Sequence, residues 1–290
     1  MTRLHAVSFD VEEHFQVANF AGVVDRADWE KHGSRVEANV DRILDLLARA
    51  KTRATFFWLG WVAERHLGCL RKVADAGHEI GSHGYDHRFV HDLGESGFRA
   101  DVRRTKAILE DACGRPVAGF RASTFTITRR TPWALAVLAE EGHRYDASIF
   151  PVRHPAYGIP DAPREMRIER PGPGLAIVEF PPLTMRFAGR NWPAGGGGYF
   201  RLFPLAVTAL AFARAEREGL SGSLYLHPWE FDPGQPHIEA GRLSSFRHRV
   251  NLARTEPRLE RLLARFRFGT MREAIEASLG PTSLAPSGPA

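Results

Sequence analysis

An α/β fold built on a parallel sheet or barrel is predicted by three observations. Short apolar runs alternate with amphipathic stretches, strand then helix, about five times between Leu4 and Ser148. Five of the apolar runs end on a polar residue suited to metal or proton chemistry: Asp10, His83, Arg121, Asp146 and His227. Strand ends are also where α/β folds build their sites.

The elements follow in order. Leu4 to Phe9 alternates and then runs apolar into Asp10, which predicts a buried first strand. Ser34-Arg35-Val36-Glu37 reads as a capping box opening a helix with apolar residues at Val36, Val40, Ile43, Leu44 and Leu47. Ala54 to Leu59 is a second buried strand, and Leu70 to Ala76 is a helix ending at Gly77, a C′ residue. His78 to Ser82 is a strand that delivers His83. Glu95 to Cys113 is a long amphipathic helix stopped by Gly114 and Pro116. Val117 to Phe120, Arg144 to Ser148, Leu175 to Phe180 and Gly222 to Leu226 are further strands, and Pro132 to Glu141 and Leu205 to Glu218 are helices. Phe150 to Pro173, rich in Pro, Arg and Gly, reads as a surface excursion. Arg190 to Phe200, with its four-glycine run, reads as a flexible loop passing close to a ligand or a neighbouring backbone. No Gly-Lys-Ser/Thr or dinucleotide fingerprint accompanies those glycines. Pro257 to Arg265 and Met271 to Ser278 are helices around a short strand at Phe266-Arg267-Phe268, and residues 279–290 read as a disordered tail.

Composition narrows the function. The 290 residues, 43% hydrophobic and 25% charged, suit one large globular domain. No apolar run spans a membrane, the N-terminus enters a strand at once, and Cys69 and Cys113 form no metal motif or disulfide framework. These features predict a cytoplasmic protein. The formal charge is +5, and only four of the 39 basic residues are lysine. The arginines are spread from Arg3 to Arg272 rather than gathered with aromatics, which argues against nucleic acid as a partner.

Chemistry gathers at the strand ends. His83 and His87, four apart, can converge on one divalent ion if the chain turns helical after the strand. Asp10, Glu12, Glu13 and His14 follow a buried strand directly, and alternation points Asp10 and Glu12 to one side. One of them can ligate a metal while the other acts as a base. His227 is placed to be a general acid once a carboxylate orients it, and Asp146 is the candidate. Arg121 is placed to pair with Asp10, an opposite charge that favours the ionised carboxylate.

Taken together, Ser8-Phe9-Asp10-Val11-Glu12-Glu13, His83-Gly84-Tyr85-Asp86-His87, Phe120-Arg121-Ala122-Ser123, Tyr145-Asp146-Ala147-Ser148 and Leu226-His227-Pro228-Trp229-Glu230 resemble, in order, the five motifs of the polysaccharide deacetylase (NodB-homology) family. The resemblance covers roughly Leu4 to Phe231. The remainder, with Phe246-Arg247-His248, is similar to the branch found beside exosortase/PEP-CTERM exopolysaccharide loci. It implies one distorted (β/α) barrel over residues 1–278, whose family-specific C-terminal region covers about 232–278. It also implies a hydrolase that removes acetyl groups from N-acetylated sugars with a divalent ion, commonly zinc.

Carried over by residue, Asp10 is the base, and His83 and His87 are the paired metal ligands. Arg121 orients Asp10, and His227 is the acid tuned by Asp146. The usual second aspartate of the first motif is Val11 here, so the third ligand falls to Glu12, with Glu13 in reserve. A backbone N–H near Ala122 to Thr124 would share the oxyanion with the metal. Ser123, Trp192, Tyr199, Trp229 and Glu230 are the candidate substrate-binding residues. The implied partner is an N-acetylated oligo- or polysaccharide, and association with a polysaccharide synthesis complex at the membrane face is left open. Two rival functions stand beside this one: an allantoinase-like hydrolase of a small cyclic amide, and an inactive carbohydrate-binding homologue.

Overall fold

The computed structural model describes residues 3–285. In chain order its first half contains β1 (His5–Val11), α1 (Val36–Arg49), β2 (Thr55–Trp58), α2 (Gly60–Arg65), α3 (Leu67–Asp75), β3 (Glu79–Ser82), α4 (Val90–Cys113), β4 (Gly119–Phe120), α5 (Ala134–Glu140) and β5 (Tyr145–Asp146). The second half adds β6 (Arg167–Gly172), β7 (Leu175–Glu179), β8 (Thr184–Phe187), β9 (Arg190–Pro193), α6 (Gly197–Leu202), α7 (Leu205–Arg217) and β10 (Ser223–Leu226). It ends with α8 (Arg242–Arg249), α9 (Thr255–Arg265), β11 (Phe268–Gly269) and α10 (Met271–Leu279).

The strands run β10-β1-β2-β3-β4-β5-β7-β6 across one sheet, and β11 also pairs with the start of β1. All neighbours are parallel except β6 and β7. Helices cover the outside, so β1 and β2 are buried along their whole length, which explains their continuous apolar runs. The sheet curls until the chain beyond β7 meets β10. There Leu183 N–H donates to Ser223 O at 3.0 Å, and Tyr225 N–H donates to Gly195 O at 2.7 Å. This irregular seam makes the barrel distorted.

The glycine run serves the seam. A Cβ on Gly196 would lie 1.8 Å from Tyr225 O, and its φ of +134° is a glycine conformation. The expected close approach is therefore to backbone. The expected flexible loop is instead β9, paired antiparallel with β8, followed by α6.

Other expectations are corrected. The 150–173 excursion contains β6, an edge strand whose bulge between Glu169 and Gly172 accommodates Pro171. α8, rich in arginine, has no counterpart in the sequence reading. At Ser34 no capping box forms, because Ser34 and the first amides of α1 turn to Glu13 instead. The predicted tail is helical to Leu279 and then forms a turn at Pro281–Leu284 that buries Leu284. Residues 286–290 of that tail lie outside the described residues.

Candidate metal and acid–base centre

β1 carries Asp10 to the C-terminal end of the sheet, and the chain turns after Val11 into Glu12 and Glu13. Asp10, Glu12, Glu13 and His14 are all buried. Carboxylates this far from water need partners. Arg121, fully buried just beyond β4, donates from Nη1 to Asp10 Oδ1 at 2.5 Å and to Ser8 Oγ at 2.9 Å. Its Nε donates to Ala147 O at 3.4 Å, so the planar guanidinium ties β1 to the chain just after β5.

Glu12, His83 and His87 each offer one ligand atom, and these atoms lie within 4.8 Å of one another. Glu12 Oε2 is 3.0 Å from His87 Nε2, yet this buried oxygen has no hydrogen-bond partner among the described residues. His83 Nδ1 sits 2.8 Å from Arg121 O. A carbonyl only accepts, so Nδ1 carries the hydrogen and Nε2 keeps its lone pair. Ser123 Oγ donates to His83 O at 3.2 Å and braces the same turn.

His87 is held in left-handed backbone, with φ of +57°. Such a conformation costs a non-glycine residue about 1–3 kcal/mol and persists only where the surroundings impose it. Arg26 supplies the constraint, donating to Asp86 O at 2.9 Å and to His87 O at 3.2 Å. An orphaned carboxylate oxygen and two imidazoles, one with its tautomer already fixed, fit a three-ligand divalent site of the zinc type. Glu13, the reserve ligand, is committed elsewhere. It accepts the Arg35 N–H at 3.0 Å, the Val36 N–H at 3.1 Å and the Ser34 hydroxyl at 2.5 Å, and so caps α1.

His227 follows β10 with its side chain 17% exposed, Nε2 being 3.9 Å from Asp10 Oδ2 and 3.8 Å from Glu12 Oε1. Its Nδ1 is 2.7 Å from Glu230 Oε1. Burial disfavours the imidazolium, but Glu12, Glu230 and Asp10 outweigh it and raise the pKa from 6.5 to about 9. Glu12 shows the reverse balance: burial pushes its pKa up, while His87, His227 and His83 bring it down to about 2. Burial lowers His83 to about 4 against the pull of Asp10, which keeps its imidazole neutral, the form a metal requires.

Asp146 does not orient His227. It accepts the Ser148 hydroxyl at 2.5 Å and the Ser148 N–H at 3.2 Å, and it adjoins Glu179 of β7. Burial and the Asp146 charge push Glu179 well above the carboxylate range. Ser148 Oγ in turn accepts the Ala122 N–H at 2.7 Å, so Asp146 shapes the wall behind Arg121.

The candidate sugar platforms separate. Trp229 is buried, donates its indole N–H to Glu12 Oε1 at 3.0 Å and stacks between His227 and His248. Tyr199, half-buried on α6, stacks on Phe203. Trp192 stands apart, half exposed on the β8–β9 hairpin, whose base meets Ser223 at the opposite end of β10 from His227. Arg201 and Gln235, buried behind Glu230, carry no sequence signal, and the sequence assigns no role to His248, part of the Phe246-Arg247-His248 segment. The one local signal was Glu230 itself, three residues after His227 at capping-box spacing.

The fold and site define a distorted α/β barrel in which Asp10 and His227 lie beside a Glu-His-His cluster. Residues 28–145 match the polysaccharide deacetylase family, and residues 147–276 match a domain of unknown function (DUF3473). A peptidoglycan-N-acetylglucosamine deacetylase of Bacillus cereus is 36% identical over 73 residues, 25% of this chain and 26% of that protein. A Helicobacter pylori peptidoglycan deacetylase is 26% identical over 113 residues, 39% of this chain and 38% of that protein. The chain thus spans well under half the length of the curated relatives it matches.

Among solved structures, one assigned to the polysaccharide deacetylases from Mycobacterium smegmatis superposes with a TM-score of 0.65 at 19% identity, covering 99% of this chain and 94% of that one. An allantoinase gives 0.60 at 16% identity, covering 98% and 90%. Both show the fold. The match to the polysaccharide deacetylase family is confined to residues 28–145, less than half of the chain. No helix among the described residues is long and apolar enough to cross a membrane.

Proposed function

We propose that the chain is a metal-dependent de-N-acetylase, acting on N-acetylated sugar residues of an exopolysaccharide or its precursor. The convergence of Glu12, His83 and His87 within 4.8 Å, beside Asp10 and His227, carries this reading. The relatives that deacetylate peptidoglycan support the substrate class. Zinc suits the donor set, and a site in the cytoplasm, beside the machinery that builds the polymer, is part of the proposal.

A divalent cation held by Glu12, His83 and His87 would supply Lewis acidity, making water a better nucleophile and polarising the acetamide. Asp10 Oδ1 is taken by Arg121, so Oδ2 is the oxygen that accepts the proton of the attacking water. Arg121 keeps Asp10 in one orientation and compensates its buried charge. The Ala122 amide is spent on Ser148, which leaves the Ser123 and Thr124 amides as the candidates for the developing oxyanion. His227, its Nδ1 held by Glu230, hands its Nε2 proton to the leaving amine, giving acetate and a free amino sugar.

The test is acetate release from N-acetylglucosamine oligomers with zinc, cobalt or manganese, with allantoin as the comparison substrate. Release abolished by chelation and in His227→Ala is expected. Ring opening of allantoin without acetate release would transfer the assignment to the cyclic-amide hydrolases, whose fold the chain shares. Sugar binding with no turnover of either substrate would identify a binding protein.

A further inference from the structure

The segment that matches the domain of unknown function, residues 147–276, contributes a buried polar chain behind His227. Arg201 of α6 is 2% exposed and Glu230 is fully buried. Arg201 Nε donates to Glu230 Oε2 at 2.5 Å. Its Nη1 donates to His248 O at 2.8 Å and to Val250 O at 2.9 Å. Glu230 Oε1 accepts both the backbone N–H of His227 at 3.0 Å and its Nδ1 at 2.7 Å. His248, which stacks on Trp229, is held by Gln235 through a 2.7 Å contact between Nε2 and Oε1.

A buried Arg–Glu pair is a poor way to gain stability, because apolar side chains of similar volume fill such a space as well or better. What an apolar pair cannot do is engage an imidazole nitrogen. By gripping the backbone and the ring of His227 with one oxygen, Glu230 fixes the ring rotation. Nε2 is then left facing Asp10 and Glu12.

We propose that the segment of unknown function completes the reaction centre, with Glu230, anchored by Arg201, as the positioning residue for His227. The catalytic consequence rests on the de-N-acetylase reading, whereas the positioning itself is measurable without turnover. The test compares the metal-loaded wild type with Arg201→Met/Glu230→Met and Arg201→Met/Glu230→Gln, reading melting temperature, kcat, KM and the 15N spectrum of His227.

The Met/Met protein is expected to melt near the wild type and keep KM. Its kcat should fall by up to about 100-fold, the lower end of what a positioned general acid contributes, and the Nδ1-hydrogen signature of His227 should disappear. Glutamine at 230 restores an acceptor and should recover the signature and part of kcat. Wild-type kcat or an unchanged His227 spectrum in Met/Met overturns the proposal. If Met/Met does not fold, Arg201→Met/Glu230→Gln decides, and loss of the signature there overturns it too. If the wild type turns over no N-acetylated sugar, the functional reading fails and the spectrum alone judges the positioning.

Discussion

Arg121 and Asp10 form a buried ion pair, with Nη1 donating to Oδ1 at 2.5 Å and neither side chain reaching solvent. Removing the cation would leave a buried carboxylate uncompensated, which costs about 3–5 kcal/mol. Arg121→Ala should therefore lose that much in denaturant unfolding, and its catalysis should collapse with the orientation of Asp10. A variant as stable as the parent would show that Asp10 finds another partner.

The two adjacent glutamates should part company on mutation. Glu12→Ala should lose its metal on dialysis, as read by elemental analysis. Glu13→Ala should keep full metal occupancy but lose about 1 kcal/mol, the ordinary value of a helix cap. The opposite pattern would reassign the third ligand to Glu13.

His227 should titrate near pH 9 in the metal-free protein, above its ordinary 6.5. Because the folded value is the higher, its stabilising contribution is full below about 6.5 and is lost as pH rises through about 9. A divalent cation would offset the Glu12 charge and move the titration down. NMR titration with and without zinc checks both statements, and a titration near 6.5 without metal would contradict them.

Asp101 lies behind the His83–His87 turn and accepts the Tyr85 N–H through both oxygens at 3.1 Å. Burial, opposed by that bond and aided by Asp86, raises its pKa from 3.8 to about 7. A carboxyl with a raised folded pKa loses stability as pH climbs between those values. Asp101→Asn, which keeps an acceptor for Tyr85, should flatten that slope and melt above the wild type at mildly alkaline pH. Parallel melting profiles would refute it.

The sequence disclosed what depends on short-range pattern. Fully buried parallel strands must be apolar, so β1, β2 and β10 were readable, and so were the polar residues at their ends. Edge strand β6 was not, since none of its residues is buried and a bulge admits Pro171. Asp146 was misjudged because its neighbour across the sheet is Glu179, a pairing set by strand order rather than by spacing. Arg201 carries no local signal, because its partners lie 29 residues away at Glu230 and 47 residues away at His248.

The seam at Gly195 and Gly196 has a consequence beyond geometry. β10 borders the opening of the barrel, and a bare strand there would present unpaired N–H and C=O groups to any other chain. By lying against Tyr225 and Ser223, the glycines and Leu183 occupy those groups from within the molecule. A side chain at 196 would strip that cover and leave an adhesive edge on the strand that delivers His227. The same glycines that close the barrel therefore leave no free edge at Tyr225 for a neighbouring copy to pair with.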